Sequence, residues 1–67
     1  MDVRARVGAN MRRAREALGV SQEELADRAR IHRTYISGVE RGVRNPTVTV
    51  LEKIAKALKV KTASLLE

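Results

Sequence analysis

The sequence predicts an all-α fold of five short helices in one domain spanning residues 1–67. Three observations carry that expectation. Apolar residues recur at three- and four-residue spacing along most of the chain, the period of helices with one buried face. Capping residues and stops alternate with those runs. The chain has 67 residues and no cysteine, so a well-packed helical core or self-association must supply its stability.

The first helix is marked by Val3, Val7, Met11, Ala14 and Leu18, with Arg4, Arg6, Arg12 and Arg13 off that stripe and Arg12 and Arg13 reading as a solvated face. Asp2 is its N-cap and Gly19 its stop. Ser21 and Glu24 form a capping box for a second helix that buries Leu25, Ala26 and Ala29, so Glu24 caps and Glu23 points away. A break at Arg30, Ile31 and His32 leads to a third helix over 33–41, which buries Ile36 and Val39 and ends at Gly42. His32, just before it, reads as a cap or turn residue. Pro46 prevents helix continuation, and Thr47 caps a fourth helix whose buried face is Val50 or Leu51, Ile54, Ala55 and Leu58. After Val60, the run TASLLE supports only a short fifth helix.

Composition narrows the function. A net charge of +6 on so short a chain favours an anionic partner: nucleic acid, an acidic membrane surface or an acidic protein. Every basic residue before Lys53 is Arg, whose planar fork suits phosphates and guanine edges. A GC-rich genome also enriches Arg and Ala, so the charge supports nucleic acid without selecting it. No apolar run approaches the roughly 20 residues that cross a bilayer, and no secretory h-region opens the chain. The expectation is a soluble cytoplasmic protein with no membrane partner. With no cysteine and His32 as the only histidine, there is no disulfide and no Cys/His metal site. With no nucleophilic Cys, no Ser–His–Asp order and no Gly-rich phosphate loop, the chain reads as a non-enzyme without cofactor or metal.

Helices two and three, separated by about three residues, have the spacing of a helix-turn-helix, motif residues 21–42. In that motif the second helix enters the DNA major groove. With Ile36, Val39 and Glu40 inward, the outer face of helix three carries Thr34, Ser37, Gly38 and Arg41, flanked by Arg33 and Tyr35. Gly38 lowers helix propensity by about 1 kcal/mol relative to Ala, and its missing side chain would allow close approach to DNA. Arg41 reads as a helix-end charge complementing the macrodipole.

The run SQEELADRARIHRTYISGVERGVRNPTVTVLEKIAKAL, with VGANMRRAREALGV upstream, resembles the Xre/Cro-type helix-turn-helix family of bacterial and phage regulators over nearly the whole chain. The combination of SQEELA, YIS, ERG and RNPT in register carries the resemblance. RTYISGVERGVRNPT is especially similar to the controller proteins of restriction–modification systems, although other regulators share such runs. The resemblance implies a five-helix, lambda-repressor-like domain that binds pseudo-palindromic double-stranded DNA operators as a homodimer.

Transferred position by position, it makes Arg33, Thr34 and Ser37 base-reading residues, with Arg33 bidentate on guanine. It makes Gln22 a phosphate contact at the start of helix two and places the Tyr35 hydroxyl on a phosphate or neighbouring base. Arg44 and Asn45 become backbone contacts, and Arg15 and Glu40 a buried ion pair joining helix one to helix three. The sequence departs from the family pattern at Arg30, where Gly or Asn often makes the turn, at Lys59, where Gly commonly ends helix four, and at Lys61, which leaves Thr62 as a substitute cap. A dimer is expected through Leu65 and Leu66, with Val43, Val48 or Val50 nearby. Some family members are antitoxins or adaptors, which makes a partner protein the rival reading. RNA binding usually draws on several exposed aromatics, and the chain has one Tyr.

Overall fold

Side-chain caps set the helix starts in the computed structural model, which describes residues 2–67. Asp2 accepts the Arg4 N–H at 2.9 Å and opens α1 (Val3–Leu18). The Arg4 guanidinium also holds the Asp2 carboxyl below its ordinary pKa, so the charged cap persists until the pH falls through that lowered value. Ser21 Oγ accepts the Glu24 N–H at 3.0 Å and opens α2 (Gln22–Ala29). Only this half of the expected capping box forms, because the Glu24 carboxylate turns to Arg28 at 2.7 Å. His32 Nδ1 accepts the Thr34 N–H at 3.3 Å and opens α3 (Arg33–Glu40). Thr47 Oγ1 accepts the Val50 N–H at 3.2 Å and opens α4 (Val48–Leu58).

The expected fifth helix is corrected by the structure. Thr62–Leu65 is a single 3-10 turn, so the described residues form four α-helices and no strand. Lys61 makes no side-chain cap bond there. The turn closes through Ser64 N–H to the Lys61 carbonyl at 2.9 Å and Leu66 N–H to the Ala63 carbonyl at 3.0 Å, a spacing too tight for an α-helix. Asn10 holds the turn against α1 by donating to the Leu65 carbonyl at 3.0 Å.

The core lies where the four helices converge. Met11, Leu25, Ile36, Val39 and Ile54 have no exposed surface, and Val7, Leu51, Ala55, Leu58 and Leu65 join them. Leu51 rather than Val50 takes the inward position on α4, with Val50 half-buried at its edge. α3 packs on α1 and α2, α2 also on α4, and the 3-10 turn sits against α1 and α4. Gly8 permits the close approach of α1 to α3. A Cβ there would lie 2.6 Å from the Glu40 carbonyl oxygen and closer still to that of Val39.

Arg30 and Lys59, the two departures from glycine, both adopt left-handed backbone, at φ 57° and 61°. Each donates its N–H back into its helix, and the following residue, Ile31 or Val60, packs on the core. That apolar contact offsets the conformational cost of about 1–2 kcal/mol for an L-residue in this region. Arg30→Gly and Lys59→Gly are each expected to stabilise the fold by about 0.5–1 kcal/mol, after the entropy of glycine in the unfolded chain is subtracted. Thermal unfolding would register a rise of a few degrees per substitution; a fall at either site would mean that the side chain itself holds the turn.

Candidate nucleic-acid interface

The turn at residues 30–32 joins α2 to α3 and presents the start of α3 to solvent. Arg33 and Thr34 are exposed, Ser37 is half-buried one turn on, and Gln22 at the start of α2 is half-buried beside them. These four residues line one shallow polar cleft. A second cleft adjoins it, lined by Thr34, Tyr35, Arg41, Val43, Arg44 and Asn45. Thr34 belongs to both, so all seven residues assigned to DNA by sequence lie on one continuous surface. Arg41, read from sequence as a helix-end charge, stands in the second cleft as well.

Glu40 organises this surface from behind. Its carboxylate receives Arg15 Nε at 2.7 Å and Nη2 at 3.2 Å, with 13% of the Arg15 and 4% of the Glu40 side chain exposed. A third Arg15 nitrogen donates to the Val20 carbonyl at 2.9 Å. The hydrogen bond to Glu40 raises the Arg15 pKa, against the opposing effect of burial. Glu40 Oε1 also accepts Gln22 Nε2 at 3.0 Å. One carboxylate therefore ties α1, α2 and α3 together and fixes which way the Gln22 amide faces: one amide hydrogen is engaged inward, leaving the other and the oxygen for a ligand.

Two sequence assignments change. Gly38, expected on the outer face, is buried. The loop after α3 folds back over it: the Gly38 carbonyl accepts the Val43 N–H at 3.0 Å and the Arg44 N–H at 3.2 Å, and the Arg44 side chain lies across the helix at that point. A helical wheel sees only residues on its own helix, so this covering segment was invisible to it. Leu65, expected at an interface between copies, is 1% exposed inside its own chain, held there because the 3-10 turn aims it between α1 and α4. Leu66, Val43 and Val48 are 45%, 60% and 74% exposed.

Sequence reasoning missed Asn10, which holds the C-terminal turn, and the seating of Arg44, whose guanidinium carbon lies 5.3 Å from the centre of the Tyr35 ring. The RNPT run had placed Arg44 near a ligand but gave no sign of its partner within the chain. Glu23 and Glu24 are exposed on α2, and Arg28 engages Glu24. Among the described residues there is no cluster of His, Asp and Glu suited to a metal, and no helix long and apolar enough to cross a membrane.

Comparison with known proteins gives a consistent set of relatives. A family model described as helix-turn-helix matches residues 11–65. An uncharacterized HTH-type transcriptional regulator of Sinorhizobium fredii, y4dJ, is 45% identical over 65 residues, covering 97% of this chain and 84% of the relative. The crystal structure of a hypothetical transcription factor from Neisseria, NHTF, superimposes with a TM-score of 0.95 at 45% identity, over 98% of this chain and 76% of that one. The restriction–modification controller protein C.Esp1396I, crystallised as a tetramer in complex with its natural 35 base-pair operator, matches with a TM-score of 0.88 at 37% identity, over 97% of this chain and 86% of that one.

Proposed function

The chain belongs to the helix-turn-helix family, and from that membership we infer that it is a transcriptional regulator that binds double-stranded DNA in a sequence-specific manner. One observation carries the reading to particular residues: the two adjoining clefts at the start of α3 and in the loop after it, joined through Thr34. With α3 in the major groove, Arg33 reads guanine O6 and N7 through its planar fork. Thr34 and Ser37 bond to bases or contact thymine methyls. Gln22, Tyr35, Arg44 and Asn45 engage the sugar–phosphate backbone and set the register. Arg15 and Glu40 hold the scaffold behind them and make no DNA contact.

The whole chain acts as one domain, without cofactor or metal, in the cytoplasm, where its DNA lies. It performs no catalysis; occupancy of an operator is its action. The protein binds as a homodimer on a pseudo-palindromic site, an assembly in keeping with the operator-bound tetramer of C.Esp1396I. Leu66, Val43 and Val48 are among the exposed apolar residues and are available to the contact between copies. Two-fold symmetry then sets the recognition helices about 34 Å apart, one turn of DNA. A sedimentation experiment giving a monomer both free at high concentration and on its operator would exclude the dimer.

Selection of bound sequences from random DNA tests the assignment of roles. Arg33→Ala should lose about 1–3 kcal/mol and relax preference at one base pair of each half-site. Arg44→Ala should weaken all sequences alike and lower the slope of log K against log salt by about one. If Arg44→Ala altered the selected sequence and Arg33→Ala left it unchanged, the two roles would be reversed.

A further inference from the structure

We propose that Gly38 is a positioning residue, which by lacking a side chain seats Arg44 against α3 and aims its guanidinium into the DNA-facing cleft. The proposal rests on the DNA-binding reading above and deepens it. Three features meet at this residue. A Cβ on Gly38 would lie 2.8 Å from Arg44 Cγ, 3.2 Å from Cδ and 3.4 Å from Nε, so the Arg44 stem occupies the place of a missing side chain. The Gly38 carbonyl binds the N–H groups of Val43 and Arg44, which fixes the backbone from which that stem departs. The guanidinium at the far end stands over the Tyr35 ring, 5.3 Å from its centre, within the range of cation–π attraction.

The consequence is pre-organisation. A loop arginine free in solvent loses rotamer freedom when it binds a phosphate. Here that freedom is already lost in the folded protein, so less affinity is forfeited on binding. Tyr35 and Arg44 act as one unit, and the glycine one turn along the helix from Tyr35 makes the unit possible. Gly38 has no side-chain donor or acceptor for DNA, and its carbonyl is already engaged, so its influence passes through Arg44.

The obstacle to a larger residue is a flexible side chain, so Gly38→Ala should fold. The gain in helix propensity is expected to hold or raise its thermal midpoint while Arg44 swings away. In the free protein, the ring of Tyr35 should move the Arg44 Nε–H resonance upfield, and Gly38→Ala should return it to the position of an unstacked arginine. Affinity for the selected DNA should fall about tenfold in Gly38→Ala, matching Arg44→Ala, as for loss of one charge-assisted hydrogen bond. The double variant should bind no more weakly than Arg44→Ala alone.

A ring shift that survives Gly38→Ala overturns the proposal whatever the DNA result. A double variant that loses the product of both single effects overturns it as well, since Gly38 would then act independently of Arg44. An unsubstituted protein that binds no selected DNA refutes the regulator reading, and the ring shift then decides the seat by itself.

Discussion

Glu40→Ala is expected to lower folding stability by about 3 kcal/mol, the low end of the range for removing one partner of a buried ion pair. The loss follows from what remains. Arg15 is 13% exposed at its side chain and would keep only the Val20 carbonyl for a guanidinium that held two bonds to Glu40. A domain of this size has only about 3–10 kcal/mol in total, so the thermal midpoint should fall by about 12 °C or more. Gln22 loses its fixed acceptor in the same variant, so DNA affinity should decline even at temperatures where the protein remains folded. Arg15→Met combined with Glu40→Leu should recover much of the stability, because the penalty comes from an unpaired charge and not from the absence of the pair. A loss below about 1 kcal/mol for Glu40→Ala would mean that water reaches Arg15 freely. Because Glu40 raises the Arg15 pKa, the contribution through Arg15 is fully present below the ordinary guanidinium value. It is lost only as the pH rises through the raised one.

Gly8→Ala is the second large effect, and its mechanism is steric. The added methyl would meet the carbonyls of Val39 and Glu40, both backbone atoms of α3, with the Glu40 carbonyl carbon 3.0 Å away. Backbone cannot rotate aside as a side chain can, so α1 and α3 must separate and loosen the contacts of Val7, Met11 and Val39. Overpacking of this kind costs about 3 kcal/mol, against about 1 kcal/mol gained from replacing a mid-helix glycine, for a net loss of about 2 kcal/mol by denaturant unfolding. Gly38→Ala supplies the control. It adds the same atom to α3, but against the yielding stem of Arg44 rather than against backbone, and should leave stability intact. Equal stability of the two variants would show that the α1–α3 crossing is looser than its geometry implies.

The contrast between these glycines marks the reach of sequence reasoning here. Both occupy helices, both lower helix propensity, and nothing in VGANM or ISGVE tells which faces backbone and which faces an arginine. The same holds for Leu65 and Leu66. Adjacent and chemically alike, they part at a 3-10 turn that buries one and exposes the other. Gln22 looked like a residue free to meet a phosphate, and its bond to Glu40, eighteen positions away, emerges only when α2 and α3 are set side by side. Arg44 and Asn45 were recognised through the run RNPT, while Arg44's place on Tyr35 was not.

What the sequence by itself determined is the four α-helices, their N-caps and the surface around α3 on which the DNA-contact candidates gather. Asp2, Ser21, His32 and Thr47 each act within three residues of their own position, and the apolar period repeats within one or two turns, so short-range interactions specify them. Only the tertiary structure decided the rest: that Glu40 joins three helices, that Gly8 brings two backbones together, and that the loop after α3 returns to cover Gly38. These depend on segments meeting across the core, where packing and desolvation select among side-chain arrangements that local sequence leaves equally open.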